Sequence, residues 1–156
     1  MANIKRYLEE KIIKDLNKDK ILIIYGARQV GKTTLVKRFL NQERTLYLNG
    51  DFIDDTEKLD KPTKEMVSRF ANLDLVIIDE AQNIRDIGLK LKVIHDTLPN
   101  LKIIATGSSS FELSNKINEP LTGRHFSHLM YPLSFKETRD DNFSIKESLV
   151  YGMYPD

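Results

Sequence analysis

The sequence of 156 residues contains no cysteine and no tryptophan, and no apolar run approaches the roughly 20 residues that span a bilayer. Without cysteine, the chain has no disulfide, no thiolate nucleophile and no cysteine-based zinc site. The N-terminus, MANIKRYLEEK, is charged and lacks the apolar core of a signal peptide. These absences predict a soluble, cytoplasmic chain with no membrane partner.

An excess of charge of one sign is also missing, since 24 Lys and Arg residues face 23 Asp and Glu residues, for a net charge of +1. This balance gives no reason to expect nucleic acid or a membrane surface as a partner. Hydrophobic residues make up 40% of the chain, which is enough for a buried core. Length and composition therefore predict one compact domain or a part of a longer protein.

Strand-like and helix-like segments alternate along the chain. Apolar, β-branched segments predict strands at 21–25, 45–49, 73–80, 101–110 and 125–131. Helical patterns occupy 4–17, 32–41, 63–71, 85–97, 110–116, 134–139 and 144–152, and longer irregular loops occupy 50–62 and 114–124. Strands that are apolar on both faces and alternate with helices predict a parallel sheet covered on both sides.

A glycine-rich loop lies between the first predicted strand and the next predicted helix. The stretch GARQVGKT fits the phosphate-loop pattern GxxxxGK[ST] at every fixed position. Its glycines let backbone N–H groups wrap a polyphosphate, and the helix start adds a positive dipole end. The alternative is a glycine turn with an incidental lysine. We expect Lys32 to reach the terminal phosphates, the Thr33 hydroxyl to bind Mg²⁺, and Arg28 to point towards solvent. The expected phosphate-binding residues are Gly26, Ala27, Arg28, Gln29, Val30, Gly31, Lys32, Thr33 and Thr34.

Two acids follow a buried strand in the segment LVIIDEAQ. Asp79 and Glu80 come at its carboxyl end, which is the edge where open α/β sheets bind ligands. We expect Asp79 to hold Mg²⁺ through a water and Glu80 to orient the attacking water. A second carboxylate beside the acid that holds the metal favours hydrolysis over transfer of the phosphoryl group to an acceptor hydroxyl. The alternative is a pair of acids that caps the next helix, and Gln82 and Asn83 are interpreted only as caps.

Further polar residues follow the second and fourth predicted strands and precede the fifth. Either Thr106 or Ser108 is expected to sense the γ-phosphate, and the alternative is a turn with a serine cap. Arg124 is expected to stabilise transition-state charge in its own site or in that of a neighbouring subunit, unless it is a surface arginine. Three acids after the second strand form a solvated loop or assist magnesium: Asp51, Asp54 and Asp55.

Four segments together resemble prokaryotic AAA-type P-loop ATPases: GARQVGKTTL, LVIIDEAQNI, IIATGSSSFEL and LTGRHFSHLMYPLSFKE. The resemblance covers nearly the whole chain. It implies an α/β fold, a three-layer α/β/α P-loop NTPase core whose mostly parallel five-stranded sheet has the order 5-1-4-3-2. It also implies ATP as the nucleotide, Lys32 and Thr33 on phosphates and magnesium, Asp79 and Glu80 as the acidic pair, and Ser108 or a neighbour as the sensor.

The family is usually longer than this chain and continues into a helical lid and a C-terminal domain. We therefore expect residues 1–156 to be an AAA-type ATPase core that ends before those parts. Arg124 occupies the Gly-Arg position of the family, whose role the resemblance leaves open.

The predicted function is Mg²⁺-dependent ATP binding and hydrolysis, and full hydrolysis is expected to need the lid. The alternatives are a nucleotide-gated switch with little turnover and a small-molecule kinase, for which no acceptor pocket is visible. Further domains of the family leave self-association or a protein partner open, and this segment gives no indication of nucleic acid as a partner.

Overall fold

A five-stranded sheet forms the centre of the computed structural model. Its strands are β1 (Ile21–Gly26), β2 (Thr45–Asn49), β3 (Leu75–Asp79), β4 (Lys102–Gly107) and β5 (His125–Met130). All neighbouring strands are parallel, in the order β2-β3-β4-β1-β5, which confirms the predicted order counted from the other edge. The residues that the structure describes are 4–41, 44–108, 116–117, 119–139 and 152–155.

Short helices connect the strands. They are α1 (Tyr7–Asp15), α2 (Lys32–Lys37), α3 (Ile53–Glu57), α4 (Lys64–Ser68), α5 (Ile87–Thr97) and α6 (Phe135–Arg139), with 3-10 turns at Arg38–Asn41 and Ala81–Asn83. Helix α3 lies in a segment predicted to be irregular. The predicted helix at 85–97 begins two residues later, after the second 3-10 turn. The predicted helices at 110–116 and 144–152 lie outside the described residues except for their last positions. None of the helices that the structure describes has the length and apolar character to span a membrane.

The core consists of two layers, one on each face of the sheet. Every residue of β1 and β3 is buried, as expected for central parallel strands. Along β1, Ile21 and Ile23 pack in one layer with α4 and α5, while Leu22 and Ile24 pack in the other with α1 and α2. This alternation follows from the two-residue period of a strand. The predicted three-layer α/β/α architecture is therefore confirmed.

The parallel arrangement brings the carboxyl ends of the strands to one edge of the sheet. Strand β1 leads into the glycine-rich loop, and β3 ends at Asp79. In register, Asn49 of β2 lies beside Asp79, and Thr106 of β4 lies beside Ile24 of β1. Segments that are far apart in the sequence consequently meet at this edge, where open α/β sheets bind ligands.

Candidate functional site

The two glycines of the loop are required for different structural reasons. Gly26 is the last residue of β1, and a Cβ atom there would lie 2.5 Å from the carbonyl oxygen of Met130 on β5. Gly31 has φ 91° and Gln29 has φ 65°, so the loop turns through the left-handed region at both positions. Gly31 therefore supplies the unusual backbone conformation. At position 26, glycine is needed because the backbone packs closely against β5. The motif alone does not indicate this contact.

The ammonium group of Lys32 lies inside the loop. Its Nζ donates hydrogen bonds to the carbonyl oxygens of Gly26, at 2.9 Å, and Ala27, at 2.7 Å. Burial lowers the pKa of Lys32 below its ordinary value, and the negative charges of Glu80 and Asp79 oppose this shift. A buried charge is screened less by solvent than an exposed one, so the ammonium of Lys32 can act more strongly on a charged group at the loop than a surface lysine would.

A cleft of about 540 Å³ opens in front of the loop. Exposed Arg28 lies at this cleft, in agreement with its expected solvent contact. Val30 is fully buried and packs in the core, and it does not line the cleft. The members of the expected phosphate-binding set that line the cleft are Arg28, Gln29, Gly31, Lys32, Thr33 and Thr34.

A buried arginine that sequence analysis did not single out anchors the loop. Arg6 donates from Nη1 to the Val30 carbonyl at 2.7 Å and from Nη2 to the Tyr131 carbonyl at 2.6 Å. Its Nε lies 3.1 Å from Oε1 of Glu137, and both side chains are buried. Burial raises the pKa of Glu137, but hydrogen bonds from Ser134 and from the Tyr7 backbone, together with the charge of Arg6, lower it overall. No sequence pattern could have indicated this pair, because its partners are 131 residues apart.

The carboxylate of Asp79 accepts hydrogen bonds from three hydroxyl groups. Thr33 Oγ1 lies 2.6 Å from Oδ2, Tyr47 OH lies 2.7 Å from the same oxygen, and Thr106 Oγ1 contacts Oδ1. Burial, followed by the bond to Asp79, raises the pKa of the Tyr47 phenol, so this group stays protonated and remains a donor. The structure thus joins the phosphate-loop motif to the acidic strand end, and it adds Tyr47 as a contact that the sequence did not indicate.

Glu80 projects into the same cleft from a left-handed backbone position, with φ 49°. Its backbone N–H donates to Thr106 Oγ1 at 3.2 Å, which helps to hold this uncommon conformation. Thr106 is fully buried and bonded to Asp79, whereas Ser108 lines the cleft. Of the two hydroxyl groups expected to sense a phosphate, the structure therefore places only Ser108 where a ligand in the cleft could reach it.

The acids after β2 separate into different environments. Asp51 lines the cleft and accepts a hydrogen bond from Asn83 Nδ2 at 2.7 Å. Asp55 instead accepts from the Asn49 backbone at 3.0 Å and from Lys58 Nζ at 2.8 Å. Within the described part of the chain, no group of three or more His, Cys, Asp or Glu residues could hold a metal ion.

Gly50 packs directly beneath the acidic strand end, and replacing it is expected to disturb the site. Its N–H donates to the Asp79 carbonyl at 2.8 Å, and a Cβ atom would lie 2.3 Å from the Glu80 carbonyl oxygen. Because backbone must move to admit the methyl group, Gly50→Ala should lower the free energy of unfolding by about 1–3 kcal/mol in urea denaturation. The neighbouring change Asp51→Ala adds no such clash and should cost only about 0.5 kcal/mol. Equal unfolding midpoints for Gly50→Ala and the unchanged protein would contradict this interpretation.

Arg124 lies at the opposite end of the sheet from the cleft. Its carbonyl oxygen accepts a hydrogen bond from the N–H of Ile21, the first residue of β1, and its guanidinium binds Asp96 at 2.7 and 3.1 Å. The cleft begins after the last residue of β1, and a strand of this length spans about 20 Å. The structure therefore places Arg124 far from the cleft of its own chain, with the length of the sheet between the two. A role in a neighbouring subunit stays a prediction.

Comparisons with known proteins agree with this architecture. A family model described as an AAA domain matches residues 18–139. The uncharacterized protein MJ1637 of Methanocaldococcus jannaschii is 32% identical over 145 residues, which cover 83% of this chain and 30% of that relative. A second uncharacterized protein from the same organism, MJ1544, is 30% identical over 92% of this chain and 33% of its own length. The chain thus spans about a third of the length of these curated relatives.

Solved structures show the same fold at lower sequence identity. The Walker-type ATPase PABY2304 of Pyrococcus abyssi has a TM-score of 0.64 and 20% identity, with coverage of 96% of this chain and 64% of that one. AMPPCP-bound DnaA from Aquifex aeolicus has a TM-score of 0.59 and 17% identity, with coverage of 99% and 57%. The family match, the relatives and the shared P-loop fold together show that this chain belongs to the AAA domain family.

Proposed function

We propose that this AAA domain binds ATP with Mg²⁺ in the cleft and hydrolyses the γ-phosphate. The observation that carries the proposal is the 2.6 Å hydrogen bond between Thr33 Oγ1 and Asp79 Oδ2, because it joins the phosphate loop to the acidic strand end. Glu80 lines the same cleft beside this pair. Hydrolysis needs a positioned phosphate, neutralised charge and an oriented water, and these residue types can supply all three.

The residues at the strand edge fit a magnesium ion. Mg²⁺ prefers oxygen ligands and is usually held by one or two carboxylates together with substrate phosphates and waters. Thr33 would bind the ion directly and Asp79 would hold it through a water, and hydroxyl contacts already fix both oxygens of Asp79. When bound, the ion neutralises negative charge on the phosphates.

The remaining candidates receive distinct roles. Lys32 binds the terminal phosphates, since its buried ammonium lies within the loop. Glu80 accepts a proton from the attacking water or orients that water, and Ser108 donates a hydrogen bond to the γ-phosphate.

Two predictions concern parts beyond this single cleft. Arg124 remains a candidate for the site of a neighbouring subunit, because it is partly exposed and lies far from its own cleft. A helical lid and a C-terminal domain after this core stay a proposal, supported by relatives of which the chain covers only 30% and 33%. If the lid and the C-terminal domain follow this core, the activity of the whole protein depends on them as well as on the cleft.

Multiple-turnover phosphate release tests the proposed function. We expect the full-length protein, with the parts proposed to follow this core, to release several equivalents of phosphate from ATP with Mg²⁺. The release should stop when EDTA removes the ion, because the phosphate charge is then no longer neutralised. A parallel binding measurement distinguishes the alternatives. Nucleotide binding without turnover would indicate a nucleotide-gated switch, whereas the absence of any binding would overturn the assignment of the cleft.

A further inference from the structure

Gln82 bridges two residues that line the cleft from different strands. Its side-chain Nε2 lies 2.5 Å from Oε2 of Glu80, which follows β3, and 3.3 Å from Oγ of Ser108, which follows β4. Gln82 itself is only 6% exposed. The sequence indicated only a capping role for this residue, yet its amide is the direct link between the candidate water-orienting acid and the candidate phosphate sensor.

The backbone around Gln82 is held firmly in place. The 3-10 turn Ala81–Asn83 carries the residue, and Ala81 and Ile84 on either side are buried in the core. Lys116 Nζ donates a hydrogen bond to the carbonyl oxygen of Gln82. Because core packing and this contact fix the turn, the position of the amide follows from the fold and needs no ligand.

The chemistry of the contacts also determines the orientation of the amide. Turning it over would bring Oε1 against the Glu80 carboxylate, so that two acceptors would meet at 2.5 Å. In the observed orientation, Oε1 is buried and finds no donor among the described residues. A buried acceptor without a donor is unfavourable, so the bond to Glu80, and not a partner of Oε1, sets the orientation of this amide.

The bridge determines what Ser108 and Glu80 can offer to a ligand. A serine hydroxyl has one hydrogen to donate, and the Ser108 oxygen already accepts from Gln82. Its hydrogen is therefore directed away from Gln82 and can be donated to a phosphate oxygen in the cleft. Glu80 has Oε2 held by the amide, so its other carboxylate oxygen can accept from a water.

We propose that Gln82 is a positioning residue that couples Ser108 to Glu80, so that contact with a terminal phosphate fixes the carboxylate that orients the water. This inference rests on the proposed function and deepens it. A nucleoside triphosphate engages Ser108 through its γ-phosphate, and a diphosphate does not reach it. Loss of the bridge should therefore reduce turnover and also reduce the preference of the cleft for a triphosphate over a diphosphate.

The decisive variant is Gln82→Glu, with Asn83→Asp as the matched control. Both changes convert an amide into a carboxylate of the same size beside an existing acid. That acid is Glu80 for Gln82, and it is Asp51 for Asn83, whose Nδ2 donates to Asp51 at 2.7 Å. Only the first change removes the donor shared by Glu80 and Ser108. For Gln82→Glu we expect kcat to fall at least about tenfold, since small misplacements of reacting groups are costly, while KM changes less than about threefold. The affinity ratio of a non-hydrolysable ATP analogue over ADP, measured by calorimetry, should fall about fivefold.

The two readouts separate failure of this inference from failure of the proposed function. If the unchanged protein binds ATP without turning it over, the proposed hydrolysis fails, and the affinity ratio still decides the role of Gln82. Equal losses in Gln82→Glu and Asn83→Asp would overturn the inference, because added charge alone would explain them. An unchanged kcat and an unchanged affinity ratio would overturn it as well. If thermal melting shows that Gln82→Glu is unfolded, Gln82→Met removes the same donor without adding charge, and the same two measurements apply.

Discussion

Replacing Lys32 by alanine is expected to weaken binding of ATP with Mg²⁺ at least about 100-fold, because a buried, hydrogen-bonded cation contributes several kcal/mol to the binding of an anion. The ammonium lies inside the loop on the carbonyl oxygens of Gly26 and Ala27, and no other lysine lines the cleft among the described residues. Isothermal titration calorimetry with a non-hydrolysable ATP analogue measures the change directly.

Lys102→Ala is the matched control for this experiment. It removes the same charge from an exposed position at the start of β4, at the opposite edge of the sheet from the cleft. Its effect on affinity should stay within about twofold, since screened charges at that distance contribute little. Comparable affinities for Lys32→Ala and Lys102→Ala would show that the loop does not bind the phosphates.

Replacing Glu80 by glutamine is expected to reduce phosphate release at least about 100-fold while nucleotide affinity changes less than about threefold. The amide can no longer accept a proton from water, and removal of a positioned base commonly costs this much. Its oxygen can still accept the hydrogen bond from Gln82, so the bridge to Ser108 is preserved. Single-turnover and multiple-turnover phosphate release, measured beside calorimetric binding, separate the chemical step from binding.

Glu65→Gln is the control for the change at Glu80. Glu65 lies on α4 with its side chain 83% exposed, where loss of the carboxylate should leave both turnover and affinity unchanged. Turnover close to that of the unchanged protein in Glu80→Gln would exclude Glu80 as the residue that orients the water. Parallel losses of binding and turnover would instead assign Glu80 to nucleotide positioning.

Much of the fold followed from local patterns in the sequence. The apolar segment at 21–25 predicted a buried strand because a central parallel strand has no face in water, and the structure buries all of β1. Thr63 stands at the start of the third predicted helix, where threonine is a common N-cap, and its Oγ1 accepts from the Met66 backbone at 3.2 Å. The phosphate loop was recognisable because all its required residue types lie within eight consecutive positions. The strand order came from the family resemblance, since strand patterns do not state which strands are neighbours.

The limits of sequence analysis appear at particular contacts. Gly50 could not be connected with Glu80, because the close approach depends on how β2 lies beside β3. Gln82 looked like a helix cap, although its amide reaches Ser108 across 26 positions of the chain. The sequence left Arg124 open as a residue of its own site, of a neighbouring subunit's site or of the surface, and the structure places it at the end of the sheet opposite the cleft.

By itself, the sequence determined the five strands, most of the described helices, the phosphate loop and the acids at the end of β3, because each depends on neighbouring residues and on backbone periodicity. Only the tertiary structure decided the contacts around Asp79, the bridge through Gln82 and the anchoring of the loop by Arg6. The physical reason is that hydrogen bonds between side chains act over about 3 Å. Such short distances are set by strand order and register, which residue patterns along one chain do not specify.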